Sequence, residues 1–332
     1  MLQFGDKPTV FWRVIEPFHR FLLLKCNIQA ILTSQPPGTL KRKSAMNIKT
    51  LLLPPILSLG LGVIATGPST SHADTITAKG SDTLVILAQK WAEVYMAGHA
   101  STKIQVTGGG SGTGFAALQN RTTDLCNASR PIKPKEVLSC IKAFRKRPTE
   151  YKVALDGLSV YVNESNPVRS LSTGQLRDIF TGRITDWSQV GGPSAPIVLY
   201  SRENSSGTYE FFKKSVLEGA DYAASAQTMP GTAAVLQAVG RDRNGIGYGG
   251  AAYGSGARAL SVSKGDGAPA VEPTEENVVN GNYPIWRYLY IYVNPALDQG
   301  EVGDYLRWIR SDSGQAIVKD VGYFPLPGNL RR

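Results

Sequence analysis

Short β-rich runs that alternate with helix-like segments constrain the fold of this chain more than any other feature. Lys103–Thr107 and Gly245–Gly249 have the length of single buried strands. Between Leu84 and Met96, apolar side chains recur at the spacing of a helix with one buried face. The alternation predicts an α/β fold. The predicted strands are Thr75–Ala78, Lys103–Thr107, Asp124–Ala128, Tyr151–Val162, Ile197–Tyr200, Gly245–Gly249 and Tyr288–Val293, with helices over Leu84–Met96 and Tyr209–Leu217.

The length and composition suit two packed domains. The chain has 332 residues, of which 42% are hydrophobic, so general disorder is excluded. One Gly/Ser-rich span, Gly247–Gly267, predicts a surface loop.

A secretory signal begins inside the sequence, at Met46. Lys49 gives it a basic start, Leu51–Ala65 is uncharged and apolar, and small residues end at Ala73. Two prolines interrupt the apolar run, whereas a membrane span needs about 20 clean apolar residues, so a membrane anchor is disfavoured. We therefore predict cleavage after Ala73 and a periplasmic or secreted protein that consists of residues 74–332.

Residues 1–45 precede this complete signal, which occupies residues 46–73. We interpret them as a non-native upstream extension that results from a wrongly chosen start codon. A genuine amino-terminal extension is the alternative.

The excess positive charge lies mainly at the amino-terminal end. The whole chain has a net charge of +10, but residues 1–49 hold eight basic and two acidic side chains. The rest has 28 basic and 24 acidic side chains, a net charge of +4. It shows no sustained Lys/Arg stripe of the kind that follows a phosphate backbone, so nucleic-acid binding is disfavoured.

Few side chains of the mature part could hold a metal or act as a base. Its histidine is His99, in a short polar stretch that predicts a surface position. Together with Cys126 and Cys140 it cannot supply the usual zinc ligands, so we expect neither a metal nor a cofactor. The two cysteines form an even pair, and a disulfide and two buried thiols both remain open.

Three strand-to-helix junctions share one composition: AKGSDTL at 78–84, GGGSGTGFAAL at 108–118 and SRENSSGTYEFF at 201–212. Glycine lets the backbone approach a ligand, the first N–H groups of a helix lack intrahelical partners, and Ser/Thr hydroxyls add donors. Any one junction could be an ordinary N-cap, but three in one chain favour an anion site. The spacings typical of nucleotide hydrolysis (GxxxxGK[ST]) and of the nucleophile elbow (GxSxG) do not occur.

Two arginines stand beside such loops. Arg130 follows Ser129 in NASRPIK at 127–133, and Arg202 follows the predicted strand Ile197–Tyr200. A guanidinium fork matches a tetrahedral oxyanion in bidentate geometry, so both positions indicate a charged ligand.

The order of these motifs resembles the phosphate-binding proteins of bacterial high-affinity phosphate ABC importers. The resemblance spans nearly all of residues 74–332 and rests on KGSDTLVILAQKWAEVY, KIQVTGGGSGTGFAALQNRTTDLCNASRPIK, ALDGLSVYVNESNPV, DIFTGRITDW, SRENSSGTYEFF, YPIWRYLYIYVN and VGYFPLP. It implies a two-lobed type II periplasmic binding protein that closes on one phosphate in the cleft between its lobes. The expected first lobe comprises residues 74–157 plus 285–332, and the second comprises residues 158–284.

The resemblance also implies the phosphate contacts, position by position. The first lobe would contribute four hydroxyls, one carboxylate and one guanidinium, and the second lobe one guanidinium and the start of a helix. These residues are Ser81, Asp82, Thr83, Ser111, Ser129 and Arg130, and then Arg202, Ser206, Gly207 and Thr208.

The sequence departs from the family at one position. Many relatives carry an aspartate where Arg130 stands, and that carboxylate accepts a proton from bound phosphate, which fully ionised sulfate cannot donate. We assign this discrimination to Asp82, the remaining carboxylate of the proposed site. Asp156 is the other candidate, but its place before the first crossover favours a structural hydrogen-bonding role.

The sequence therefore predicts an extracytoplasmic, monomeric, non-enzymatic phosphate receptor whose partners are inorganic phosphate and the membrane permease of an ABC importer. A receptor for another oxyanion, such as sulfate, molybdate or tungstate, is the alternative within this class. A secreted phosphatase is the alternative from another class, and it would need a nucleophile with a base or a metal.

Overall fold

A computed structural model describes residues 75–254 and 256–331. The predicted extension at 1–45, the signal at 46–73 and the cleavage after Ala73 lie outside this range. The strands are β1 (Thr75–Gly80), β2 (Lys103–Thr107), β3 (Leu125–Ala128), β4 (Thr149–Gly157), β5 (Ser159–Val162), β6 (Ser170–Ser172), β7 (Val198–Arg202), β8 (Gln227–Met229), β9 (Gly245–Gly249), β10 (Arg258–Ala259), β11 (Ser261–Ser263) and β12 (Trp286–Val293).

Helices connect most of the strands. The α-helices are α1 (Val85–Gly98), α2 (Ser111–Gln119), α3 (Pro134–Phe144), α4 (Thr173–Phe180), α5 (Gly207–Ser215), α6 (Gly231–Arg241), α7 (Glu275–Val279), α8 (Gly300–Arg310) and α9 (Asp312–Val321). Short 3-10 helices lie at Asp82–Leu84, Trp187–Val190, Ala251–Tyr253 and Gly328–Leu330. Across residues 75–254 and 256–331, no helix has the length and apolar character that crossing a bilayer requires.

Two five-stranded sheets form two lobes. The first sheet has the order β2-β1-β3-β12-β4, in which β1 is parallel to β2 and β3, and β12 is antiparallel to β3 and β4. The second has the order β10-β5-β9-β7-β8, with β7 parallel to β8 and β9. Helices pack on both sheets, so the predicted α/β, two-lobed fold is confirmed.

The chain crosses between the lobes along paired strands. β4 belongs to the first sheet and ends at Gly157, and β5 opens the second sheet at Ser159. The chain returns to the first lobe through Ile285, which directly precedes β12. The Ile285 carbonyl accepts a hydrogen bond from the Leu158 backbone N–H at 2.9 Å. The two crossovers therefore lie side by side, as a hinge between two lobes requires.

Each lobe has its own hydrophobic core. In the first lobe Leu87, Trp91 and Tyr95 of α1 are buried in one core with residues of β1 and β12, at the helical spacing that the sequence shows. In the second lobe Phe180 and Phe212 pack with Tyr248 of β9.

The span Gly247–Gly267, predicted as a surface loop, contains more structure than expected. It includes the end of β9, a 3-10 helix and the short strands β10 and β11. β10 pairs with β5, and β11 pairs with β6, both far away in sequence. The loop prediction was wrong for these residues because their strand conformation comes from distant partners and not from local composition.

The alternative of a disulfide between Cys126 and Cys140 was also wrong: both are free, buried thiols. They pack with Phe115 and Tyr292 and act as small apolar side chains. Burial raises the pKa of Cys140 to about 11 and that of Cys126 well above its ordinary value, and the charge of Glu136 adds to both shifts. The thiolate that disulfide formation needs is therefore strongly disfavoured at either position.

His99 lies at the surface, as predicted. It follows the last turn of α1, its ring stacks on Tyr95 with the ring centroids 3.9 Å apart, and its Nδ1 lies 2.9 Å from the Tyr95 carbonyl oxygen. These contacts are those of a helix-end surface residue.

Candidate functional site

The three Gly/Ser/Thr-rich junctions all lie where a strand ends. Ser81 and a 3-10 helix follow β1, α2 begins at Ser111, and α5 begins at Gly207 after β7. Ser206 is the N-cap of α5, and its hydroxyl accepts hydrogen bonds from the backbone N–H groups of Thr208 and Tyr209, both at 3.2 Å. The N-cap interpretation is therefore correct for Ser206, and it does not exclude a ligand beside the same helix end.

Four hydroxyls from the two lobes form one buried cluster. Thr83, Ser111 and Ser129 of the first lobe and Thr208 of the second each have 0% of their surface exposed. Thr83 Oγ1 lies 2.8 Å from Thr208 Oγ1, and Ser129 Oγ lies 3.4 Å from the same atom. Ser111 Oγ lies 3.3 Å from Ser129 Oγ and accepts the Ser129 backbone N–H at 3.0 Å. Each hydroxyl can donate or accept, so the cluster can reorient toward an anion.

Glycine allows the lobes to approach this closely. A Cβ atom on Gly207 would lie 2.3 Å from Ser111 Oγ and 2.7 Å from Ser129 Oγ, which is too close for any side chain. Gly110, with φ +90°, would place a Cβ 2.5 Å from the Ser205 carbonyl oxygen. That carbonyl accepts a hydrogen bond from the Gly112 backbone N–H at 2.8 Å, so the backbones of the two lobes are in direct contact across the cleft.

Arg202 is buried beside this cluster, with 1% of its side chain exposed. Its Nη2 donates to Asp82 Oδ2 of the first lobe at 2.7 Å and to Glu203 Oε1 of its own lobe at 2.8 Å. Its Nη1 donates to Thr232 Oγ1 at 2.8 Å. Burial lowers the pKa of the guanidinium, but the hydrogen bond and charge of Glu203 and the charge of Asp82 outweigh this, so the pKa is raised. A charged donor is thus fixed in a buried position.

Asp82 joins the loops of both lobes. Its Oδ1 accepts the backbone N–H of Gly109 at 2.7 Å, and its Oδ2 contacts Arg202. Its backbone carbonyl accepts the hydroxyl of Tyr253 at 2.6 Å. Asp82, to which we assign sulfate exclusion, therefore contacts Arg202, which we predict to bind the anion.

Arg130 is also buried, but its guanidinium contacts other carboxylates. Nη1 and Nη2 donate to Glu136 at 2.8 and 2.7 Å, and Nε lies 3.0 Å from Oε2 of Glu210 in the second lobe. Lys133 also donates to Glu210, at 2.6 Å. The hydrogen bond and charge of Glu136 outweigh the effect of burial and raise the pKa of Arg130. Its side chain therefore belongs to an ion network that also includes Lys133.

Several residues of this region were missed by reasoning from the sequence. The sequence could have indicated Glu203, because it is a carboxylate next to a predicted anion-binding arginine. No local sequence pattern indicates Thr232 or Tyr253, since they contact Arg202 and Asp82 from more than 25 residues away in the chain. The sequence could also have indicated Arg287, because a charged side chain inside the apolar strand WRYLYIYV requires a buried partner.

The partner of Arg287 is Asp156, the second carboxylate considered in the sequence. Asp156 is fully buried, its Oδ2 accepts Arg287 Nε at 2.9 Å and its Oδ1 accepts the Ala251 backbone N–H at 3.0 Å. Both contacts are structural, as expected for Asp156.

Two α/β lobes that meet over buried hydroxyls and an arginine define a solute-binding protein of the periplasmic type. A model of the PBP superfamily domain matches residues 65–313. The phosphate-binding protein PstS of Pseudomonas aeruginosa is 34% identical over 272 residues, which cover 77% of this chain and 84% of that protein. Protein SphX of Synechococcus elongatus is 33% identical over 297 residues, which cover 86% of this chain and 87% of that protein.

Solved structures agree with these relatives. A phosphate ABC transporter substrate-binding protein from Clostridium perfringens, with bound phosphate, superposes with a TM-score of 0.70 at 27% identity. The match covers 76% of this chain and 100% of that one. The chain belongs to the PBP superfamily and, within it, to the family of substrate-binding proteins of phosphate ABC importers.

Proposed function

We propose that this protein binds inorganic phosphate between its two lobes and delivers it to the membrane permease of an ABC importer. The observation that carries the proposal is the buried cluster of Thr83, Ser111, Ser129 and Thr208 beside the guanidinium of Arg202. Hydroxyl donors from both lobes and one fixed positive charge suit a small tetrahedral anion. The relatives named as phosphate-binding proteins support the same ligand.

The proposed contacts divide between the lobes. Their hydroxyls and helix-start N–H groups would donate to the phosphate oxygens, and Arg202 would neutralise charge. The first lobe, residues 74–157 plus 285–332, contributes Ser81, Asp82, Thr83, Ser111 and Ser129, and the second, residues 158–284, contributes Arg202, Ser206, Gly207 and Thr208. For Arg130 we propose a different role: its side chain holds the lobes together through Glu210.

Asp82 gives the site its selectivity in this proposal. Protonated phosphate can donate a hydrogen bond to the Asp82 carboxylate, whereas sulfate has no proton and would be repelled. Because Asp82 also contacts Arg202, the anion would compete with the carboxylate for this guanidinium. Phosphate binding would then replace one inter-lobe contact with a bridging ligand.

The proposal assigns binding without catalysis. The histidine of the mature part stacks on Tyr95 at the end of α1, and the described residues contain no cluster of three or more His, Cys, Asp or Glu side chains that could hold a metal. We also propose that the protein is extracytoplasmic, because the signal predicted at residues 46–73 would direct its export. We propose further that it acts as a monomer.

Calorimetric titration of the anion-free protein tests the proposal. Phosphate should bind with one site per chain, and excess sulfate should not compete. Competition by sulfate, molybdate or tungstate would instead identify a receptor for another oxyanion. Release of phosphate from a chromogenic ester would show a phosphatase.

Small-angle scattering tests the closing motion. A ligand that touches both lobes favours the closed form by its differential affinity for it, so phosphate should lower the radius of gyration. Identical curves with and without saturating phosphate would show a rigid site.

A further inference from the structure

Arg287 occupies the crossover between the lobes, at the back of the proposed site. It lies on β12 directly opposite Asp156 of β4 in the antiparallel register. Only 4% of Arg287 and none of Asp156 is exposed. The guanidinium meets the carboxylate twice, with Nε at 2.9 Å and Nη2 at 2.8 Å from Oδ2. A charge pair is therefore buried in the strands on which the lobes must move.

The same guanidinium contacts the proposed phosphate site from behind. Arg287 Nη1 donates to the Ser129 carbonyl oxygen at 3.0 Å. The Ser129 hydroxyl and backbone N–H belong to the buried cluster with Ser111 and Thr208. Arg287 thus contacts the backbone of the residue that carries these donors.

Contacts to the second lobe complete the arrangement. The guanidinium carbon lies 5.2 Å from the ring centroid of Phe211 on α5, the helix whose first turn holds Gly207 and Thr208. Asp156 Oδ1 accepts the Ala251 backbone N–H, which also belongs to the second lobe. One ion pair therefore contacts a loop of the first lobe, a helix of the second lobe and both crossover strands.

We propose that Arg287 is a positioning residue that couples phosphate binding to closure of the lobes. Its Nε and Nη1 donate to oxygens of the protein, and its Nη2 lies 2.8 Å from Asp156 Oδ2, so we assign it the positioning of other donors and not a contact to the anion. A buried ion pair adds little stability relative to apolar side chains, and its effect here is geometric. This inference rests on the proposed function, because it names the residue that sets the geometry of that site.

Arg287→Lys separates positioning from general stability. Lysine keeps the positive charge opposite Asp156, but a compact ammonium cannot replace the planar fork that reaches Asp156 and Ser129 together. We expect phosphate affinity to fall at least tenfold in calorimetry. At phosphate concentrations that saturate the variant, the decrease in radius of gyration should be smaller than in wild type.

Arg258→Lys is the matched control. Arg258 is a partly buried arginine of the second lobe whose Nη2 donates to the carbonyls of Asn166 and Val168 at 2.6 and 2.7 Å. Both Arg287→Lys and Arg258→Lys should lower the melting temperature, yet the phosphate affinity of Arg258→Lys should stay within twofold of wild type. Equal loss of affinity in both variants would overturn the proposal, as would an Arg287→Lys affinity within twofold of wild type.

Phe211→Leu tests the contact to the second lobe and leaves both residues of the ion pair unchanged. It is also the alternative test if Arg287→Lys does not fold. We expect phosphate affinity to fall about threefold, because the guanidinium loses the ring beneath it. Unchanged affinity in Phe211→Leu, in the absence of folded Arg287→Lys, would overturn the coupling. If wild type itself gave no heat with phosphate, the proposed function and this proposal would both fail. Wild-type binding with unaffected variants would overturn this proposal alone.

Discussion

Arg202 and Arg130 are held in the same way but in different surroundings. Each is buried, and each contacts one carboxylate of its own lobe and one of the other: Glu203 and Asp82 for Arg202, Glu136 and Glu210 for Arg130. Asp82 is joined to the glycine loop before α2, whereas Glu210 also binds Lys133, whose side chain is 49% exposed. Two similar ion pairs therefore cross the cleft, one within the proposed anion site and one at its rim.

The difference shows how one cleft can both bind and close. In the proposed site, phosphate would replace Asp82 as the inter-lobe partner of Arg202, so this pair would respond to phosphate. Arg130 contacts Glu210 of the other lobe without a ligand, so in this proposal the pair would favour closure whether or not phosphate is bound.

Arg202→Ala should produce the largest change. A charge-assisted hydrogen bond to a buried oxyanion is worth roughly 1.5 to 3 kcal/mol, about twice a neutral one. Phosphate affinity should therefore fall at least about tenfold in calorimetry, a factor that corresponds to ~1.4 kcal/mol. Ser206→Ala is the comparison, since its hydroxyl already caps α5. Wild-type affinity in Arg202→Ala together with a loss in Ser206→Ala would reverse the hierarchy.

Asp82→Asn should change selectivity more than affinity. The amide keeps an acceptor oxygen for the phosphate proton but removes the negative charge that repels sulfate. Sulfate should then displace phosphate in competition calorimetry, which it should not do in wild type. Asp156→Asn, at a carboxylate already paired with Arg287, should remain insensitive to sulfate. Sulfate competition in Asp156→Asn and not in Asp82→Asn would assign selectivity to the other carboxylate.

Glu210→Gln should have a smaller, salt-dependent effect. It removes the cross-lobe partner of Arg130 and leaves Glu136 in place. Partly exposed ion pairs contribute up to about 1 kcal/mol, so phosphate affinity should fall by no more than about fivefold at low salt. In high salt, screening should make the phosphate affinity of the variant equal to that of wild type. Glu218→Gln, which loses an ion pair with Arg177 inside the second lobe, is the control and should bind as wild type.

Glu203→Gln should change the dependence of stability on pH. Burial raises the pKa of Glu203, but the hydrogen bond and charge of Arg202 outweigh this, and the folded-state pKa is lowered. A lowered pKa stabilises the fold above the ordinary glutamate pKa of about 4.3, and this stability is lost as the pH falls below it. Urea unfolding between roughly pH 5 and 3 should therefore be less steeply pH-dependent in Glu203→Gln. Parallel pH profiles would show that the Arg202–Glu203 pair contributes nothing to acid sensitivity.

Much of the fold followed from local patterns. The helical spacing of Leu87, Trp91 and Tyr95 predicts the buried face of α1 correctly, and each predicted strand overlaps an observed one. These features depend on residues near one another in the chain, where periodicity reports burial directly. The strands β10 and β11 escaped prediction because their pairing partners are about 100 and 90 residues away.

The candidate site shows the same limit. Gly/Ser/Thr junctions at strand ends indicated an anion site, because backbone donors and hydroxyls at a helix start suit an anion. The family resemblance assigned Thr83, Ser111, Ser129 and Thr208 to that site. No local pattern could show that Arg130 contacts Glu210, a residue of the opposite lobe. A free guanidinium and an ion-paired one look the same in sequence.

By itself, the sequence determined the α/β class and the family and predicted an anion site at the junctions, since these depend on short motifs and their order. The tertiary structure alone decided which side chains share the site, that Cys126 and Cys140 are free thiols, and that Arg287 pairs with Asp156 at the crossover. Charge pairing and burial depend on distances between residues far apart in the chain. Only the folded arrangement of both lobes determines those distances.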